Sequence, residues 1–246
     1  MRFIVTKIIR KINFYLFLLC SGQIFVLFQA IFEVLIPSFF LSMNKHIFYN
    51  LESGDQTNLA DIDEVTIEIG VLDDVAKLVS DLYSGDSEAL RFYEDYYREG
   101  VKPCIAWRGG KAIGVVWIYT GYYLANWEGY DAWLLKIGIE PQAKFFANGF
   151  IAPEYRGQKI FRKIIEYCTK IYCNDKFYSC VDEINITSVK AHERIGFRRC
   201  AVAYYIRFFR AAYCIFWIRN NKKYWNYSRY KLQRKQPVPI SIITNS

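Results

Sequence analysis

The chain has 246 residues, 53% of them hydrophobic, and a net charge of +8. Its charge is uneven: five basic and one acidic residue in 1–51, fifteen and twenty-three in 52–193, twelve and none in 194–246. Such a length buries a full core, and two basic ends around an acidic middle exclude the common nucleic-acid module, whose positive charge sits on the folded unit. Only His46 and His192 are histidines, and the seven cysteines form no CxxC pair. No metal site is expected, and an odd thiol count without a framework points to a reducing compartment.

Residues 1–46 are expected to form an apolar, basic-flanked segment associated with a membrane. After "MRFIVTKIIRK" come 21 uncharged residues, 12–32, enough to span a bilayer. Arg2, Lys7, Arg10 and Lys11 would hold this end inside. A single span would then place the remainder outside, against its basic C-terminus. Ser21-Gly22-Gln23 divides the run into two legs, so a hairpin in the inner leaflet satisfies both constraints. Two alternatives stay open: the segment packs on the protein itself, or translation begins at Met43 and the protein is cytoplasmic.

Residues 47–210 carry the signals of an α/β (α+β) module. "VTIEI" (65–69) alternates as a strand, and "LDDVAKLVSDLY" sets Val75, Leu78, Val79 and Leu82 on one helical face. A second helix follows over about 86–99. "CIAWRGGKAIGVVWIYTG" reads as a hairpin turning at Gly109-Gly110. Residues 121–142 are aromatic and irregular. "KFFANGFIA" (144–152) is a strand, and the helix after it should bury Phe161, Ile164, Ile165, Cys168 and Ile171. A strand at 177–181, a short helix from Asn185 to about Ile195 and long aromatic strands from Phe197 complete the module. Residues 211–246 read as a basic, aromatic extension. The nine basic residues of 204–235, interleaved with Tyr, Trp and Phe, suit an anionic headgroup layer, and a solvated basic tail equally.

Two motifs carry chemistry. "IAPEYRGQKIF" (151–161) ends a strand and opens a basic helix whose first N–H groups lack intrahelical partners, a natural anion site. "NITSVKAHERIGF" (185–197) places Asn185, Ser188 and His192 on one helical face. With the element order, these motifs resemble the GNAT superfamily of acyl-CoA-dependent N-acetyltransferases over roughly residues 47–210. The resemblance implies a mixed, mostly antiparallel sheet flanked by helices, with acetyl-CoA as co-substrate. It implies that the turn at Arg156, Gly157, Gln158, Lys159, Ile160 and Phe161 holds the CoA pyrophosphate through backbone amides. It also implies that Ile151 N–H polarises the acyl carbonyl, that Asn185 and Ser188 contact the pantetheine arm, and that His192 protonates the departing thiolate. Lys159 and Phe161 depart from the family pattern, which has Gly and Gly/Ala there; Phe161 has room only if it turns into the core.

The expected function is transfer of an acetyl or other acyl group from CoA to an amine at the cytoplasmic face of a membrane. The aromatics of 121–133 suit a sugar-like acceptor, an amino sugar or a lipid-linked precursor of a surface polysaccharide, and suit core packing equally. The fourth strand holds no carboxylate to act as base, so Glu128, Asp131, Asp182 and Glu183 are the candidates. The rival expectation is a non-catalytic membrane-associated module that keeps the fold and a CoA site. No nucleic-acid partner is expected, and the oligomeric state is left open.

Overall fold

The computed structural model describes residues 41–51, 64–125, 135–208, 211–218, 228–230 and 238–239. The apolar run 12–32, Trp127, Glu128, Tyr130, Asp131 and Trp133 lie outside them. Among the described residues no helix is long and apolar enough to cross a membrane.

The strands are β1 (Leu41–Leu51), β2 (Val65–Ile69), β3 (Lys102–Arg108), β4 (Lys111–Tyr119), β5 (Tyr122–Ala125), β6 (Leu135–Gly138), β7 (Ala143–Ile151), β8 (Lys176–Asp182), β9 (Arg198–Phe208), β10 (Ala211–Ile218), β11 (Ser228–Tyr230) and β12 (Val238–Pro239). The helices are α1 (Leu72–Leu82), α2 (Ser87–Arg98), α3 (Ile160–Ile171) and α4 (Ile186–Ile195). Nine strands form one sheet in the order β11-β10-β9-β1-β8-β7-β4-β3-β2, and β12-β6-β5 form a smaller one. In the large sheet β7 and β8 are parallel and every other pair is antiparallel. The expected mostly antiparallel sheet flanked by helices is therefore present.

Side-chain alternation divides the core. Ile105, Val115, Trp117 and Phe145 face α1 and α2, while Cys104, Ile113, Val116 and Phe146 face α3 and α4. Because helices cover both faces, β3 and β4 read as continuous apolar runs, the pattern of a sheet buried on both sides. Trp117 is fully buried and stacks on Tyr93 of α2 at 4.6 Å and 4°.

Several expectations change. A boundary after residue 46 falls inside β1, which pairs with β8 and β9 on its two edges. A boundary after residue 210 falls between β9 and β10, which pair along eight positions. Residues 211–218 thus continue the sheet rather than leave it. The irregular stretch 121–142 contains β5 and β6; Tyr123 is buried there, stacked on Phe145 at 4.4 Å, and is core. On α3 the buried face is Ile160, Ile164, Ile165, Cys168 and Thr169; Ile171 is exposed and Phe161 only half-buried. The buried face is thus centred on Ile160, Ile164 and Cys168, which lie four residues apart, and Phe161 and Ile171 fall at its margin.

Trp117→Ala should lower unfolding free energy by about 3–5 kcal/mol, the range for emptying a buried aromatic site. Val71→Ser, at the exposed N-cap of α1 where valine offers no side-chain acceptor, should instead raise it by about 0.5–1 kcal/mol. Urea denaturation of both variants checks this.

Candidate active site

The parallel ladder between β7 and β8 runs from Ala143/Lys176 to Phe146/Ser179 and stops. Past that pair each strand stays with its other neighbour: β7 with β4 as far as Ile151, and β8 with β1 as far as Asp182. The two strands therefore part. On its β4 side β7 carries a bulge, Asn148 and Gly149 standing opposite the single residue Val116 between the pairs Trp117/Ala147 and Val115/Phe150. Asn148 takes the left-handed conformation (φ 50°), and its Nδ2 donates to Tyr119 Oη at 2.7 Å. Gly114 lets β4 approach closely here: a Cβ on it would stand 2.5 Å from Ile151 Cδ1.

A cavity of about 720 Å³ fills the gap, within the size range of small-molecule sites. It runs from Phe146 and Ser179 at the vertex to the start of α3, with α4 as its side wall. Ala152 N–H donates to Ile113 O on β4 at 3.0 Å, so the neighbouring Ile151 faces the other way. Its carbonyl accepts from Arg156 Nε at 3.0 Å, and its N–H faces the cavity.

At the far end, Pro153–Tyr155 make a short 3₁₀ turn, Gly157 has φ 82° and Lys159 has φ 60° before α3 begins. The first backbone bond of the helix is Lys163 N–H to Lys159 O, so the amides of Lys159, Ile160 and Phe161 precede the ladder and point outward. α1 and α2 satisfy the same groups with their own carboxylates: Asp74 accepts from Val71 N–H, and Asp86 from Glu88 and Ala89 N–H. α3 has no acidic residue in its first turn. Arg156, Lys159, Arg162 and Arg194 line the cavity, and among the described residues no aspartate or glutamate does. The surface is built for an anion.

On α4, Asn185 accepts from Ser188 N–H at 3.1 Å as the helix cap. His192 is buried, its ring stacked on Tyr49 at 5.5 Å and packed against Phe161 at 4.8 Å and Phe197 at 5.1 Å. Its Nδ1 donates to Ser188 O at 2.8 Å, and its Nε2 lies 3.0 Å from Ser179 Oγ. Burial lowers its pKa from 6.5 to about 4, although the Ser188 carbonyl and Glu193 favour the proton. The ring is neutral at pH 7.

The cavity thus gathers Ile151, Arg156, Gly157, Lys159, Ile160, Phe161, Asn185, Ser188 and His192. It leaves out Gln158, whose side chain turns back to donate to Glu154 O at 3.1 Å. Phe161 turns only part-way inward: half-buried, it packs against the core cluster on the α3 side, with its ring against His192 and toward Gly149, whose added Cβ would stand 3.7 Å from Phe161 Cε2. Asp182 and Glu183 are not at the cavity wall. Asp182 Oδ1 accepts from Ile184 N–H at 3.1 Å, and Glu183 pairs with Lys45 at 2.6 Å. Sequence reasoning missed Ser179 and Asn148. Ser179 had one signal, a lone hydroxyl in the buried strand "FYSCV".

A strand pair splayed beside an acid-free, cation-rimmed helix start marks an α/β protein with a ligand cleft opened inside its sheet. The model of the acetyltransferase (GNAT) family matches residues 72–197, and the chain belongs to that family. It is similar in structure to a functionally unknown conserved protein from Staphylococcus epidermidis, with TM-score 0.53 and 15% identity over 74% of this chain and 66% of that one. A GNAT-family acetyltransferase from Colwellia psychrerythraea matches with TM-score 0.46 and 14% identity over 68% of this chain and 56% of that one. The chain therefore spans just under two thirds of the first and little over half of the second. At these identities the likeness is one of fold. Comparison with curated proteins returns no match.

His46 is also buried, with its pKa lowered by burial to about 3. Below pH 6.5 the unfolded chain binds protons at His46 and His192 that the folded chain refuses, so stability falls with pH from about 6.5 to about 4. Urea midpoints measured across pH 4–8 should show this decline, and His192→Gln should flatten part of it.

Proposed function

We propose that the protein transfers an acetyl or other acyl group from coenzyme A to an amine. One observation carries the reading: the cavity between β7 and β8 ends at the acid-free, cation-rimmed start of α3. The pyrophosphate of acetyl-CoA fits that end, held by the amides around Gly157–Phe161 with Arg156 and Lys159 as counter-charges. The pantetheine arm would follow the gap past Ser188 and Asn185, replacing the strand pairing that β7 lacks there. The acyl carbonyl would accept from Ile151 N–H, a fixed dipole where negative charge develops. Acetyl-CoA is a substrate here, consumed in each turnover.

The acceptor we favour is an amino sugar or a lipid-linked precursor of a surface polysaccharide, taken at the cytoplasmic face of a membrane. Its support is in the sequence: the uncharged run 12–32 and the nine basic residues of 204–235. A second reading, a CoA-binding module without turnover, is favoured by the cavity wall, which has no carboxylate among the described residues, and by the Phe161 ring that lines it.

Calorimetry with CoA should give a measurable affinity that Gly157→Pro weakens by at least about tenfold, since proline removes an amide and cannot take φ 82°. Thiol release from acetyl-CoA with a panel of primary amines then separates transfer from binding alone. Unchanged affinity in a folded Gly157→Pro variant would rule out the phosphate site.

The membrane reading is checked by flotation of the full chain on vesicles. Anionic vesicles should retain it, and a chain starting at Met43 should bind them at low salt and leave at high salt. A shorter chain that stays unbound at low salt would contradict an anchor in 204–235.

A further inference from the structure

Four polar groups stand in a row at the vertex where β7 and β8 part. They are the Ser188 carbonyl, the His192 ring, the Ser179 hydroxyl and the Phe146 carbonyl, linked at 2.8, 3.0 and 2.9 Å. The two ends are carbonyl oxygens and only accept. Three links need three protons. A neutral imidazole brings one and the serine another, so the row is one proton short. The ring proton belongs on Nδ1, because the Ser188 carbonyl can only accept it. Nε2 then holds a lone pair, and the Ser179 proton is shared between Nε2 and the Phe146 carbonyl. Since Nε2 is engaged by Ser179, the atom this pair offers to the cavity is Ser179 Oγ.

The surroundings leave this row little competition. Tyr49 on β1, stacked on the ring, is held protonated by burial up to about 12. Glu193 on α4 is bound to Arg199 at 2.6 Å. Arg162 on α3 is bound to Glu166 at 2.9 Å. Among the described residues, no aspartate or glutamate lines the cavity wall.

We propose that Ser179 is a catalytic residue of the acyl transfer and that His192 positions it, the pair carrying the proton that leaves the amine and ends on sulfur. This rests on the acyl-CoA reading above. The amine lone pair forms the C–N bond while the carbonyl π pair moves to oxygen. Collapse re-forms the carbonyl and breaks C–S, the electron pair going to sulfur. Nitrogen is then one proton in excess and sulfur one short, and both were bonded to the same carbon. Ser179 Oγ accepts the nitrogen proton as its own passes to His192 Nε2, which fills the third link. The reverse movement delivers a proton to sulfur and restores the neutral pair. One proton has moved from amine to thiol, and both residues are unchanged.

The test uses the full chain and CoA. Affinity is measured by calorimetry, and ionisation of the bound thiol by its ultraviolet absorbance across pH. Ser179→Ala should bind CoA within roughly threefold of the parent, and its bound thiol should ionise about one pH unit higher, the hydroxyl that favours the thiolate being gone. Ser179→Thr, which keeps the hydroxyl, should titrate like the parent. His192→Gln should shift the thiol in the same direction, and the double variant should add nothing, as for residues acting as one unit. Nitrogen NMR should show the His192 Nε2 signal moving on CoA binding in the parent and not in Ser179→Ala. Equal thiol ionisation in parent and Ser179→Ala at equal affinity overturns the proposal, as do additive shifts in the double variant. Failure of the parent to bind CoA removes the acyl-CoA reading and this inference together.

Discussion

The parallel contact between β7 and β8 is the constraint on which the site depends. Each strand is bound on its outer edge by an antiparallel partner, β4 for β7 and β1 for β8. The partners extend past Phe146/Ser179, and the contact between β7 and β8 does not. Neither strand can follow the other without breaking its own outer ladder. The gap is therefore enforced from outside, and the backbone groups inside it remain available for hydrogen bonding. Buried or half-buried peptide groups left in that state are costly, so the fold favours an occupant that replaces the missing strand.

Electrostatics completes what the backbone starts. α1 and α2 spend carboxylates on their own ends, and α4 uses the Asn185 side chain. α3, which begins where the gap opens, has no such group, and basic residues surround it. The same sequence that caps the other helices internally leaves this one to an external anion. Geometry and charge thus both support the occupant proposed above, a chain with peptide-like donors and acceptors and a phosphate end.

Much of this was legible in sequence because it rests on local rules. The amphipathic spacing of Val75, Leu78, Val79 and Leu82, the Gly109-Gly110 turn and the Gly157 turn before α3 each depend on a few neighbouring residues. What escaped depends on distant partners. β1 sits between β8 and β9 because of pairing with residues more than a hundred positions away. Ser179 gains its meaning from His192 and Phe146, neither of them adjacent in sequence. The acidic candidates Asp182 and Glu183 looked available only because Lys45 and the Ile184 amide were not visible as their partners.

Lys159 and Phe161, the two positions where glycine or a small residue would be expected, both line the cavity, and Phe161 touches His192. Lys159 keeps its amide and adds a positive charge, but holds a left-handed backbone that costs a side chain about 1–2 kcal/mol. Phe161 keeps its amide as well and packs its ring against the imidazole, on which Tyr49 also stacks. Burial is the cause of the lowered His192 pKa, and Phe161 supplies part of that burial. A small residue at 161 would open the turn but admit water to the ring. Phe161 therefore narrows the cavity near the start of α3 while keeping the vertex dry, where a neutral imidazole presents Nε2 to Ser179 Oγ.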